Sequence, residues 1–160
     1  MGIPTAISYD LVSCRGRSGI IYEMLDAELL SSLIRNDGSN VDRYAKVLSD
    51  VAKTIHTSEG DPAILPNLKA SFREHIQTLD GHLRAGDIQL IARKLEALPD
   101  SRTCVHFDLH TSNVMIRNGE PVIIDMGDFS IGSNLFDIGL LFFVYGIPEL
   151  GLSELVTRIP

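Results

Sequence analysis

The run His106-Phe107-Asp108-Leu109-His110-Thr111-Ser112-Asn113 is followed, after two short apolar segments and a turn, by Ile123-Ile124-Asp125-Met126-Gly127-Asp128. A carboxylate, an amide five positions on and a second carboxylate beyond the turn supply the oxygens that a magnesium-dependent phosphoryl transfer requires. Such a transfer needs one carboxylate to orient the attacking hydroxyl and accept its proton, and hard oxygen ligands for the metal that neutralises the phosphates. Asp108 can serve as the first, and Asn113 and Asp125 as the others.

Two strands must bring these groups together. Asn113 stands just before Val114-Met115-Ile116 and Asp125 just after Val122-Ile123-Ile124, with Arg117-Asn118-Gly119-Glu120-Pro121 between the runs. Asn-Gly flanked by apolar segments is a strong hairpin signal, so the strands are expected to pair and set Asn113 and Asp125 side by side at one end. Asp108, in the loop before the hairpin, is expected to face them.

The order His-x-Asp-x-x-x-x-Asn with a later Asp-x-Gly is that of the protein-kinase catalytic loop and metal-binding motif. In detail His106-Phe107-Asp108-Leu109-His110, Ser112-Asn113-Val114, Ile124-Asp125-Met126-Gly127-Asp128 and Phe136-Asp137-Ile138-Gly139 resemble the aminoglycoside phosphotransferase family and its choline- and homoserine-kinase-like relatives. The resemblance implies a protein kinase-like fold and the phosphorylation of a small-molecule hydroxyl with ATP and Mg2+. It also implies Asp108 as catalytic base, Asn113 and Asp125 as magnesium ligands, and Asp137 as a buried aspartate bracing the catalytic loop.

Several neighbouring groups admit plainer roles. Asp128 can contact a second metal or only close the turn after Gly127. A carboxylate at Asp137 suits a helix N-cap ahead of residues 138–145. His106 is expected to hold the loop through its ring nitrogens. His110 lies where a substrate or phosphate could reach it, yet a structural role is the expectation there too.

Upstream, residues 7–13 and 19–23 are short apolar segments joined by Cys14-Arg15-Gly16-Arg17-Ser18, which reads as a hairpin. Gly16 and Gly19 are read as part of that hairpin and not as a phosphate loop, which needs more glycine in a set register and a lysine on a neighbouring strand. Tyr22-Glu23-Met24-Leu25 then leads into an expected helix over residues 27–35. By the resemblance, Glu23, Met24 and Leu25 form the hinge whose backbone meets the adenine of ATP. Val41, Tyr44, Leu48, Val51 and Ile55 recur at helical spacing, with His56 closing the helix as a hydrogen-bonded core residue. Leu65, Leu68, Phe72, Ile76 and Leu79 form a second such stripe, and Ile88, Ile91, Leu95 and Leu98 a third. Pro62, Pro66, Gly81, Gly86 and Pro99 fall near the helix ends, where breakers belong.

The expected class is therefore α+β: mostly the helical lower lobe of a kinase-like fold over residues 26–160, with a remnant upper-lobe hairpin and hinge over residues 1–25. The chain has 160 residues and 44% hydrophobic content, enough for a substantial core but short for a two-lobed enzyme. A formal charge of −7 argues against a nucleic-acid partner, which would want a basic face. The apolar stretch over residues 138–147 is too short and glycine-interrupted to span a bilayer, so no membrane role is expected. Cys14 and Cys104, without a signal-peptide pattern, suggest a reducing cytoplasm.

About twenty residues precede the hinge and none is a lysine; the first, Lys46, falls inside a helix. A kinase of this type carries a glycine-rich strand pair and a lysine ahead of its hinge. The upper lobe is thus expected to lie mostly outside this chain, Met1 to be an internal methionine of a longer enzyme, and much of the acceptor pocket to lie beyond Pro160. The reading is a catalytic core fragment of a phosphotransferase. The alternative is a non-catalytic kinase-like module that binds a nucleotide or protein. The strand over residues 7–13 would expose an edge, which invites self-association.

Overall fold

The computed structural model describes residues 2–147, and its elements divide into a free-standing hairpin and a packed helical body. Strands β1 (Ser8–Cys14) and β2 (Arg17–Tyr22) pair antiparallel, Leu11 opposite Ile20 and Cys14 opposite Arg17. Their connection is Arg15-Gly16, both with positive φ (52° and 75°), as a two-residue primed turn demands. Every residue of both strands is exposed.

The chain then passes Glu23-Met24-Leu25 into β3 (Glu28–Leu29) and α1 (Leu30–Asn36). The helix expected from residue 27 thus starts three residues later. Glu28 and Leu29 are good helix formers, but their backbone pairs with Ile116 and Met115 of a later strand, and this tertiary pairing overrides propensity.

Helix α2 (Val41–His56) runs as its periodicity predicts, burying Tyr44, Val51 and Ile55 while Val41 stays half exposed. With Leu30, Cys104, Leu109, Val114 and Ile123 these form the central core. Each large apolar side chain buried there contributes roughly 1.5–3 kcal/mol. Helix α3 (Leu68–Gln77) starts on an Asn67 cap whose side-chain oxygen accepts from the Ala70 N–H at 3.0 Å. It pairs with α4 (Ala85–Glu96). The buried Lys69 ammonium there donates to the Leu98 carbonyl at 2.7 Å and pairs with Asp100 at 3.1 Å, closing the end of α4.

The site-bearing half follows: β4 (Cys104–Val105), β5 (Val114–Arg117), β6 (Glu120–Ile123), β7 (Ser130–Ile131) and α5 (Leu135–Tyr145). The β5–β6 hairpin turns on Asn118-Gly119, both with positive φ (54° and 86°), and β3 adds to the other edge of β5. Strand β4 pairs antiparallel with β7, Cys104 opposite Ile131 and Val105 opposite Ser130. No helix among the described residues is long and apolar enough to cross a membrane. The sequence beyond Ile147 lies outside the described residues.

Candidate active site

The loop between β4 and β5 is fastened from below by Asp137. This side chain is not the helix N-cap that its position suggested, because α5 begins at Leu135 with Asn134 at its cap. Asp137 sits in the first turn, fully buried, and its carboxylate accepts from the Phe107 N–H at 2.7 Å and the His106 N–H at 3.0 Å. His56, at the end of α2, lies 2.8 Å from the same carboxylate through Nε2, which gives that core histidine its partner. A carboxylate without such donors would be very costly to bury, so the three contacts explain its place.

The fastening holds an unusual backbone. Phe107 has φ of 62°, a left-handed conformation that bulky residues rarely adopt. Its ring packs edge-on to Phe72 of α3 and Phe136 of α5, centroids 5.4 and 6.1 Å away. His106 secures the next residue: its Nδ1 accepts from the Asp108 N–H at 3.3 Å and its Nε2–H donates to the Ile124 carbonyl at 3.1 Å. An amide can only donate and a carbonyl only accept, so the ring carries its proton on Nε2. The structural role expected of His106 is the observed one.

Asp108 emerges with its side chain 43% exposed, while Asn113 is buried beside it. The Asn113 amide nitrogen donates to the Asp108 carbonyl at 2.9 Å and to its carboxylate at 3.0 Å. Both partners are acceptors, which fixes the nitrogen and leaves the other terminal atom as the oxygen, a hard ligand of the kind magnesium takes. The hairpin register places Val114 opposite Ile123, and the Ile124 N–H donates to the Asn113 carbonyl at 3.0 Å. Asp125 is the next residue, exposed, in the left-handed region (φ 57°, ψ 61°) that Asp tolerates better than most. The sequence-predicted trio is therefore assembled at one end of the hairpin.

His110 completes the loop. Its Nδ1 accepts from the Ser112 N–H at 3.1 Å, and its Nε2 faces the Asp108 carboxylate at 3.5 Å. Burial pushes its pKa below the ordinary histidine value, an effect that the Asp108 charge opposes and the neighbouring His106 reinforces. With Nδ1 accepting from Ser112, the hydrogen of the neutral ring belongs on Nε2, the nitrogen that faces Asp108. Asp128 is exposed in the turn after Asp125, and its backbone carbonyl accepts from the Ser130 hydroxyl.

Among the described residues no group of three or more His, Cys, Asp or Glu gathers into a metal cage. One carboxylate and one amide oxygen nevertheless suit magnesium, which keeps several waters and takes its remaining ligands from substrate phosphates. A cavity of about 490 Å3 opens beside Asp125, with Tyr22, Glu23, Leu25 and Met115 also in its wall. Glu23 and Leu25, two of the residues expected to form the hinge, and the Asp125 carboxylate thus share one space, of the size small-ligand sites have. Met24 does not line it and is 97% exposed. The Glu23 side chain ties the segment after β2 to β5 instead, accepting from the Ile7 N–H at 3.0 Å and pairing with Arg117 at 2.8 Å. A larger apolar cavity, about 820 Å3, lies between α2 and α5 and touches none of Asp108, Asn113 or Asp125.

Sequence reasoning passed over Arg117 and Tyr145. Tyr145 lies eight residues after Asp137 in an otherwise apolar helix, so both fall on one face of α5; that spacing was the available signal.

The profile of the phosphotransferase enzyme family (APH) matches residues 9–155. Among curated proteins, the EKC/KEOPS complex subunit BUD32 of Yarrowia lipolytica is 29% identical over 124 residues, covering 77% of this chain and 41% of that protein. A thermostable mutant of aminoglycoside phosphotransferase APH(4)-Ia in ternary complex with ADP and hygromycin B superposes with a TM-score of 0.65 at 15% identity. That match covers 88% of this chain and 55% of the other. The apo form of that enzyme gives 0.63 at 18% identity, over 98% and 60% of the two chains. Amicoumacin kinase hAmiN in complex with AMP-PNP, Ca2+ and Ami gives 0.53 at 17%, over 92% and 51%. The fold is the kinase-like one of these phosphotransferases, and the chain spans about half the length of the proteins it matches.

Proposed function

The chain belongs to the phosphotransferase enzyme family, and from that premise we propose that its parent protein moves a phosphoryl group from ATP, with Mg2+, to the hydroxyl of a small-molecule acceptor. The observation that carries this reading is the Asn113 amide clamped to Asp108 by two hydrogen bonds, with Asp125 one residue past its strand partner.

In this reading the half-exposed Asp108 carboxylate orients the acceptor hydroxyl and takes its proton as the oxygen attacks. The Asn113 amide oxygen and the Asp125 carboxylate hold the magnesium, which when bound neutralises phosphate charge. The hinge backbone at Glu23 to Leu25 receives the adenine at the far side of the 490 Å3 cavity. His106 and Asp137 act only by holding the loop. The relatives bound to hygromycin B or amicoumacin support a small-molecule acceptor, and those holding ADP or AMP-PNP support the nucleotide.

Calorimetric titration of the chain with ATP, with and without Mg2+, tests the site. Magnesium-dependent binding that survives Asp108→Asn and collapses in Asp125→Asn is the expected result. Binding indifferent to magnesium, or equally lost in both variants, would overturn the division of roles.

A further inference from the structure

The turn that delivers Asn113 has a second fastening, at the opposite end of α5 from Asp137. Residues Thr111–Asn113 form a single 3-10 turn with three backbone N–H groups to satisfy. The Asn113 N–H donates to the His110 carbonyl at 2.9 Å and the Ser112 N–H to the His110 ring at 3.1 Å. The Thr111 N–H donates to the phenol oxygen of Tyr145 at 3.0 Å, and the Thr111 hydroxyl meets the same oxygen at 3.1 Å. Thr111 is buried, so its amide has no ready exchange of partner for bulk water.

We propose that Tyr145 is a positioning residue for the phosphoryl-transfer site: its hydroxyl holds the Thr111–Asn113 turn so that the Asn113 side chain stays locked on Asp108 with its oxygen presented to the metal. The metal role of Asn113 rests on the function proposed above; the clamp itself rests on the hydrogen bonds alone. The same helix holds the loop at both ends, Asp137 taking the amides of His106 and Phe107 and Tyr145 taking that of Thr111. Between the two fastenings lie Asp108, Leu109 and His110, so the catalytic carboxylate is carried on a backbone pinned on either side. Removing the phenol oxygen strands a buried donor two residues before Asn113. The turn must then loosen or admit water, and either displaces the amide. Groups that hold metal ligands from behind commonly change metal affinity 10- to 100-fold when removed.

The deciding variant is Tyr145→Phe, which keeps the ring and deletes one oxygen. Amide hydrogen exchange followed by NMR should rise at least about tenfold at Thr111 and Asn113 while Phe107, held by Asp137, stays protected. The magnesium-dependent part of ATP affinity should fall about tenfold, with magnesium-free affinity unchanged. Thr111→Val, which loses only the hydroxyl contact, should show a smaller change in the same direction, and Thr111→Ser should restore it; this pair carries the test if Tyr145→Phe does not fold. Unchanged protection at Thr111 in Tyr145→Phe would overturn the proposal. So would protection lost equally at Phe107 and Thr111, which marks a general weakening of α5. If the wild-type chain shows no magnesium-dependent ATP binding, the proposed function fails, while the exchange pattern still decides whether the clamp exists.

Discussion

Two hairpins in this molecule obey the same local rule and meet opposite fates. β1–β2 and β5–β6 each turn on two residues with positive φ, the second a glycine in both. The first stands alone with all strand residues exposed, including Leu11 at 77%. The second buries Val114, Val122 and Ile123, takes β3 on its free edge and carries Asn113 and Asp125 at its base. Turn chemistry sets strand pairing in both cases, but only burial converts a hairpin into a platform that fixes where Asn113 and Asp125 stand. An isolated two-stranded ribbon is marginal in water, so β1–β2 depends on what it is attached to.

The contrast is broken or sharpened by substitution, beginning with chemistry. Asp108→Asn should lower phosphoryl transfer by the parent protein about 10²- to 10⁴-fold, the usual contribution of a general base, with the melting temperature nearly unchanged. Coupled ADP-release kinetics read this, and wild-type turnover in the variant would remove Asp108 from its role. Ile123→Ala, in the packed hairpin, should cost about 2–5 kcal/mol in urea unfolding. Gly119→Ala and Gly16→Ala should each strain a left-handed position by about 1–2 kcal/mol locally, yet only the first should weaken magnesium-dependent ATP binding. Equal effects of the two on binding would erase the distinction between the hairpins.

Acid should separate the hairpins from the side of the hinge. The Ile7 N–H, working against partial burial and helped by Arg117, holds the Glu23 carboxyl below its usual range. A depressed carboxyl stabilises the fold above its unfolded value near 4.5 and loses that contribution as pH falls through the lower folded value. Stability should therefore drop below about pH 4.5 more steeply in the wild type than in Glu23→Gln, which chemical denaturation across pH can follow. Smallest of all, Leu11→Lys should move stability by less than about 0.5 kcal/mol. It should nonetheless abolish any concentration-dependent association seen by light scattering, because charge on an open strand discourages pairing.

The placement of Asp108, Asn113 and Asp125 and the hairpin beneath them were legible because their signals are local: fixed spacings, an Asn-Gly turn, alternating apolar runs. Helices α2, α3 and α4 announced themselves by periodicity. What the sequence could not give alone were features decided by distant partners. Glu28 and Leu29 read as helix until β5 claims their backbone. Asp137 reads as a cap by its position, and only the family resemblance points to the brace that its bonds to the His106 and Phe107 amides form. Glu23 stands in the hinge segment, but its carboxylate is committed to Ile7 and Arg117, a tie across 94 residues that no window reveals. Tyr145 is one apolar-looking position among many until Thr111 meets its hydroxyl.

Phe107 carries a last consequence. A left-handed backbone is ordinarily assigned to glycine, whose missing side chain makes the conformation free. Here an aromatic residue occupies it, and its ring joins Phe72 and Phe136 in one cluster. The bend in the loop is therefore conditional on two helices. A smaller side chain at position 72 would remove one wall of that cluster and leave the bend to Phe136 and the Asp137 carboxylate, both on α5. Phe107→Gly would make the bend self-sufficient and cut α3 loose from the loop. Position 107 is thus where α3 and α5 together set the backbone that enters Asp108.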